Sequence, residues 1–476
     1  MRKIFKLILV GVIFLLLFFP ASGKETPELR ICLDQNATSV SYRIQSGHYE
    51  LRDFTTNWLI GELKPGDVVM VNLVGSSLNV EVNSKQDNIP YSGPLIALPS
   101  DKSDKNVFSF QNRQYRDGIT ISIDNRRLLT VNHVGIEHYL YGVVGREMGN
   151  DAPEEALKAQ AVASRSYALA LQGSGLKYDL GVNTSTQVYG GYSAEMDFGA
   201  ERAIQAVDET RGEVIYYKDN GNKKIVQAFF HSNAGGYTED SENVWNESLP
   251  YLRGVPSPDD DYAEKYGEMI GQKWASESYR WEKTFSLAEI EEAIKKYNEG
   301  SSSPINIGGF QEIILHREGR DAKSKTVSGR VTRVELVGTK GKANVYRDNI
   351  RTLFGLKSTK FDVIGSTSKI IVIENGLGER RRLEETTGLK IIGAGDYLVD
   401  SNDINEPFQA ITHNGKTVLT GRSEKITFKG FGYGHGIGMS QWGAQGMAVK
   451  GASYREIIEH YYNQDKKDGK LTVESY

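Results

Sequence analysis

Five glycines stand at strict two-residue spacing, Gly430, Gly432, Gly434, Gly436 and Gly438, and no other feature limits the backbone of this 476-residue chain so tightly. The alternation predicts an extended segment bare of side chains on one face, with Tyr433, His435 and Ile437 on the other. Met439-Ser440-Gln441-Trp442 then opens a helix whose first amides lack intrahelical partners, near Ser440. The run is no dinucleotide fingerprint, because the residue three positions after any Gly-x-Gly pair in it is His435, Ile437, Met439 or Gln441. His435 can be read two ways: as a hydrogen-bonded core residue among tightly packed backbone, or as part of a cleft wall uncovered by its glycine neighbours.

At the other end, Arg2, Lys3 and Lys6 precede an apolar run from Leu7 to Phe19, then Pro20, Ala21, Ser22 and Gly23. Thirteen residues at ~1.5 Å rise cover about 20 Å, short of the ~30 Å hydrocarbon core, so 1–23 is expected to be an export signal cut near Gly23. Left uncut, it would tether the protein by one N-terminal helix; both cases put the working body outside the cytoplasm, secreted or membrane-tethered at the cell wall.

Short alternating segments such as 68–74 and 78–82, broken by Pro65-Gly66-Asp67 and Gly75-Ser76-Ser77, predict a β-rich lobe over 24–105. Helical periodicity takes over at 136–148. Asp151 and Glu154 suggest a capping box for a second helix running to about Gln172, with Gly173 as its stop. Further helices are expected over 200–210 and 279–298, and strands near 213–217, 225–230, 305–316 and 331–337. A β-rich insertion, 366–425, splits a main domain of 106–365 and 426–476; a lid, a glycan-binding lobe and a partner surface all suit it. The fold class is mixed α+β, with an extended cleft in the main domain. No period of 20 to 50 residues suggests a solenoid.

With 57 Lys+Arg against 61 Asp+Glu the net charge is −4, which argues against nucleic acid as a partner. The single cysteine, Cys32, excludes a disulfide framework and thiolate-rich metal sites. There is no His-Glu-x-x-His, Gly-x-Ser-x-Gly or P-loop motif. Glu147 is the acid that stands out: it ends the apolar run 139–146 just before a chain reversal, where partial desolvation raises a carboxyl pKa toward that of a general acid. Arg165, in an alanine-rich helix, is a candidate to pair with Glu147 or grip a polar ligand, unless it is simply exposed. Gln187 and Tyr189 on one glycine-bearing loop, and His231, Ser232 and Tyr237 on another, offer amides, hydroxyls and rings suited to a sugar polymer.

Taken together, the blocks 139–148, 155–167, 187–191, 232–238, 250–252 and 434–446 closely resemble the stage II sporulation protein D (SpoIID/LytB) family. The resemblance implies a lytic transglycosylase that cuts peptidoglycan glycan strands, preferring strands whose stem peptides an amidase has removed. It places the catalytic glutamate on Glu147 and the cleft arginine on Arg165; His435, Ser440 and Gln441 are further candidates for substrate contact. A role associated with the same family is the rival expectation: a non-catalytic, wall-binding enhancer of an N-acetylmuramoyl-alanine amidase. The implied partners are peptidoglycan strands, an amidase and a membrane scaffold. Some members hold a metal through Cys and His near the block containing His231; this chain has no cysteine there, so neither structural zinc nor another cofactor is expected.

Overall fold

The computed structural model describes residues 26–101, 103–175, 177–245, 247–364 and 425–476, and the backbone of six short strands between 371 and 419. The expected export signal lies outside the described residues. The chain is mixed α+β. Two six-stranded sheets form its N-terminal part, one ordered Glu28–Ala37, Arg127–Gly135, Gly118–Asp124, Leu95–Pro99, Tyr49–Asp53, Trp58–Leu63. The other runs Arg113–Arg116, Val107–Phe110, Ser39–Ser46, Val68–Val74, Ser77–Val82, Lys85–Gln86. Strict alternation explains the burial: in Ser39–Ser46, Val40, Tyr42 and Ile44 point inward while their neighbours are exposed. Both sheets draw strands from either side of residue 105, and their inner faces join the helices in a single core.

The helix expected over 136–148 is two helices, Ile136–Tyr141 and Val144–Met148. Gly142 makes the break, because the Tyr189 ring occupies the space where its Cβ would be, 2.7 Å away, and the Gly190 amide donates to its carbonyl at 2.9 Å. The next helix, Glu154–Leu171, is buried almost all round and packs on Ala200–Glu209, Gln441–Val449 and Tyr454–Asn463, which its many alanines allow. Its expected capping box is not formed: Pro153 occupies the cap, with no side-chain cap bond, and the Asp151 carboxylate accepts from the Tyr266 hydroxyl instead.

A second core gathers Trp281, Phe285, Ile290, Ile294, Phe310, Leu336, Leu353 and Phe428. Here the single helix expected over 279–298 is corrected to a helix Lys273–Tyr279, a strand Arg280–Ser286 and a helix Leu287–Glu299 capped by Ser286 and Glu289. Trp281 and Phe285 are four apart, a spacing equally at home on a helix face. Only antiparallel pairing of Arg280–Ser286 with Lys425–Phe431 settles the matter. Within the expected 366–425 insertion, the described strands pair as three hairpins: Ile371–Glu374 with Arg380–Leu383, Lys390–Ile392 with Leu398–Asp400, and Phe408–Thr412 with Gly415–Leu419.

The glycine run crosses from the second core to the first. It is not the regular extended segment its spacing predicted. Gly432, Gly434, Gly436 and Gly438 all have positive φ, from +69° to +115°, so the chain kinks at every second residue. A Cβ would meet the Asn233 carbonyl oxygen at Gly432, the His231 Cβ at Gly434, the Arg330 guanidinium at Gly436 and the Phe229 carbonyl oxygen, 2.0 Å away, at Gly438. Gly438→Ala therefore adds a left-handed non-glycine residue and a backbone clash. A stability loss of at least about 1–3 kcal/mol is expected, measured by denaturant unfolding.

Candidate active site

A groove of about 500 Å³ opens between the two cores. From the first core it is lined by Glu147, Tyr167, 184–186, 229–232, Trp245 and Gln441. Asp348 and Arg351 come from the Asp348–Phe354 helix beside the second core, and Tyr433, Gly434 and His435 from the ribbon that joins the two.

Glu147 lies in the short helix Val144–Met148, half-buried on the groove wall. Its Oε1 accepts from the Val188 amide at 2.6 Å. Gln441 donates to the Glu147 carbonyl at 3.0 Å and to Gln160 Oε1 at 3.3 Å, tying this helix to the start of Gln441–Val449. Burial raises the carboxyl pKa above its ordinary value, while the Val188 amide and the Gln441 carboxamide oppose the shift. The result is a groove-lining carboxyl that keeps its proton to higher pH, with one oxygen fixed by the Val188 amide.

The raised pKa has a consequence for stability. Unfolded, Glu147 ionises near pH ~4.3; folded, it ionises higher, so between the two values the folded state holds the extra proton and stability falls as pH rises. Glu147→Gln has no such loss. The variant should match the wild type below the unfolded pKa and become the more stable of the two as pH rises through the folded pKa, a crossover that denaturant titrations at several pH values will read.

Opposite stand two imidazoles with ring centroids 5.3 Å apart. The His231 Nδ1 lies 3.1 Å from the Ile437 carbonyl, which can only accept, so Nδ1 carries the proton and the buried Nε2 is a bare acceptor. His435 Nδ1 accepts from the Ile437 amide at 3.0 Å, the reverse tautomer. Burial, reinforced by Arg330 and Arg351, holds His435 down to about 4 and His231 well below its ordinary value, so both are neutral near pH 7. No set of three ligating His, Cys, Asp or Glu side chains forms among the described residues. Trp245 packs on Phe229 at 4.3 Å and on His435 at 5.1 Å, giving the groove an aromatic wall.

Of the residues expected at the site, the groove thus brings together Glu147, His231, Ser232, His435 and Gln441. Five others do not line it. Arg165 neither meets Glu147 nor reaches solvent. It is fully buried and donates from Nε and Nη2 to Glu137 at 3.0 and 2.6 Å, and to the carbonyls of Val207 and Glu213. Gln187, also fully buried, accepts from the Tyr139 hydroxyl at 3.0 Å. Tyr189 packs against the Tyr139 ring at a tilt, centroids 4.9 Å apart, and donates to Asn132 at 2.9 Å. Ser440 caps Gln441–Val449, accepts from the Ala234 amide and donates to the buried Asp260 at 2.5 Å, which occupies its hydroxyl fully. Tyr237 pairs with Pro256 in a two-stranded ladder away from the groove. Sequence reasoning missed Trp245, Asp348, Arg351 and the organising Asp260, because nothing local marks them; only the fold aims them here.

Residues 124–217 match a family model described as "Stage II sporulation protein", and 239–395 match a domain of unknown function. An uncharacterised protein of Brachyspira hyodysenteriae is 27% identical over 75% of this chain and 73% of its own. The Bacillus subtilis amidase enhancer is 28% identical over 82% of this chain, which spans about half (49%) of that relative's length. The B. subtilis stage II sporulation protein D is 26% identical, over 70% of this chain and 74% of its own.

Proposed function

We propose that this chain, which belongs to the stage II sporulation protein D family, is an extracytoplasmic lytic transglycosylase acting on peptide-stripped peptidoglycan strands. The observation that carries the reading is Glu147: a half-buried carboxyl with a raised pKa, one oxygen held by the Val188 amide, on the wall of a groove. In this reading a glycan strand lies along the groove, with a sugar face against Trp245. The Glu147 Oε2–H gives its proton to the glycosidic oxygen as the bond from muramoyl C1 to that oxygen breaks. The resulting carboxylate takes the proton of the same sugar's C6 hydroxyl, whose oxygen bonds to C1 and closes the 1,6-anhydro ring. One proton leaves the enzyme and one returns. Because the nucleophile is intramolecular, the second carboxylate by which ordinary glycosidases activate water or form a covalent intermediate has no task here.

The groove's neutral histidines suit this role, since neither competes with Glu147 for the proton near pH 7. The second reading, enhancement of an amidase by wall binding alone, is favoured by the similarity to a protein named amidase enhancer. Incubating the purified full chain with peptide-free and with peptide-bearing strands separates the two. Release of anhydro-ended fragments, faster from peptide-free strands, supports the enzyme. Sedimentation with the wall, without fragments and with faster amidase action, supports the enhancer.

A further inference from the structure

We propose that Arg351, on the Asp348–Phe354 helix, reads the free carboxylate that peptide removal leaves on the lactyl ether of muramic acid; this rests on the glycan reading above. Arg351 is the one Lys or Arg among the described residues that line the groove. Its guanidinium is under-bonded. Among the described residues only Nη1 has partners, the two oxygens of Asp348 at 3.2 and 3.3 Å, long for charge-assisted bonds, which normally fall at about 2.7–2.9 Å. Among the described residues the buried Nε has no partner, and none is found for Nη2. An unmet buried donor is costly, so an arginine left in this state is suited to an anion that arrives later.

The surroundings agree. Arg330, fully buried behind the ribbon, adds a second positive charge close enough that each guanidinium opposes protonation of His435. Asp348, half in solvent, orients Arg351 without matching both cations. A glycan backbone offers hydroxyls and acetamides, all neutral. The lactyl group is different: joined to a stem peptide it ends in an amide, and stripped of the peptide it ends in a carboxylate. A guanidinium fork at this place therefore discriminates between the two forms of the same strand. The residue comes from the 239–395 segment that matches a domain of unknown function, so selectivity and acid catalysis would be supplied by different parts of the chain.

The test compares full-length wild type, Arg351→Gln and Arg351→Lys on three strands: peptide-free, peptide-free with the lactyl carboxylate methyl-esterified, and peptide-bearing. On peptide-free strands Arg351→Gln should lose roughly 10–100-fold in kcat/KM, expressed mainly in KM, with Arg351→Lys intermediate. On esterified strands wild type and Arg351→Gln should be alike. Equal preference for the free carboxylate in wild type and Arg351→Gln overturns the proposal. Should Arg351→Gln not fold, a wild type that treats free and esterified strands alike overturns it equally, and a preference for the free acid that Arg351→Lys weakens supports it. Should the wild type cut no strand, binding of the same three strands decides in the same way, so the loss of the catalytic reading and the loss of this one are told apart.

Discussion

Glu147→Gln should lower strand cleavage by a factor on the order of 10³–10⁴ while leaving the fold and glycan binding in place. The substitution is nearly isosteric, and the Gln carbonyl oxygen can still accept from the Val188 amide that now holds Oε1 at 2.6 Å. The bond from Gln441 to the backbone carbonyl at position 147 does not involve the side chain at all. What disappears is the carboxyl proton, and with it both halves of the reaction, since the same carboxyl serves as acid and then as base. The alkaline limb of the wild-type rate profile should follow from the same group: kcat/KM falls as pH rises through the raised Glu147 pKa. A Glu147→Gln protein that cuts within about tenfold of wild type would place the acid elsewhere.

Arg165→Met should act in the opposite sense, on stability and not on chemistry. Arg165 and Glu137 are both buried, with side chains 0% and 3% exposed, and their pairing is bidentate. Glu137 Oε1 also accepts from the Gly212 amide at 3.1 Å and the Tyr476 hydroxyl at 3.3 Å, so one ion pair joins four parts of the chain. Removing the cation strands a carboxylate in the core, at a cost of about 3–5 kcal/mol. Denaturant unfolding of the main core will read that loss, and Glu137→Leu combined with Arg165→Met should recover part of it. Per folded molecule, at low temperature, KM should change little. A raised KM with an unchanged unfolding midpoint would instead return Arg165 to the groove as a substrate contact.

Where the sequence carried its own constraint, the reading matched the structure closely. The alternation in Ser39–Ser46 and the alanine-rich body of Glu154–Leu171 needed no partner to be understood. Glu147 was legible because an apolar run ends at it just before the chain reverses, and the structure does keep it half-buried. Other features depended on a neighbour far away in sequence. Gly142 breaks its helix because Tyr189 arrives there, and the strand at Trp281 exists because Lys425–Phe431 pairs with it. The glycine ribbon shows both sides: its period of two was visible, but its kinks follow from close approach by Asn233, His231, Arg330 and Phe229. Arg165 and Tyr189 look like ligand groups when seen without Glu137 and Asn132, which saturate them. Asp348 and Arg351 pair three apart on a short helix, a pattern common on any surface, and only the meeting of two cores turns it toward Glu147.

The central claim is that one carboxyl drives an intramolecular attack with no water consumed. Mass analysis of fragments released from peptide-free strands in water enriched in the heavy oxygen isotope tests it most directly. The account predicts new muramoyl ends that are lighter by one water than reducing ends and carry no heavy oxygen. Heavy oxygen at the new ends, or the absence of new ends from a protein that still binds the strands, would contradict it.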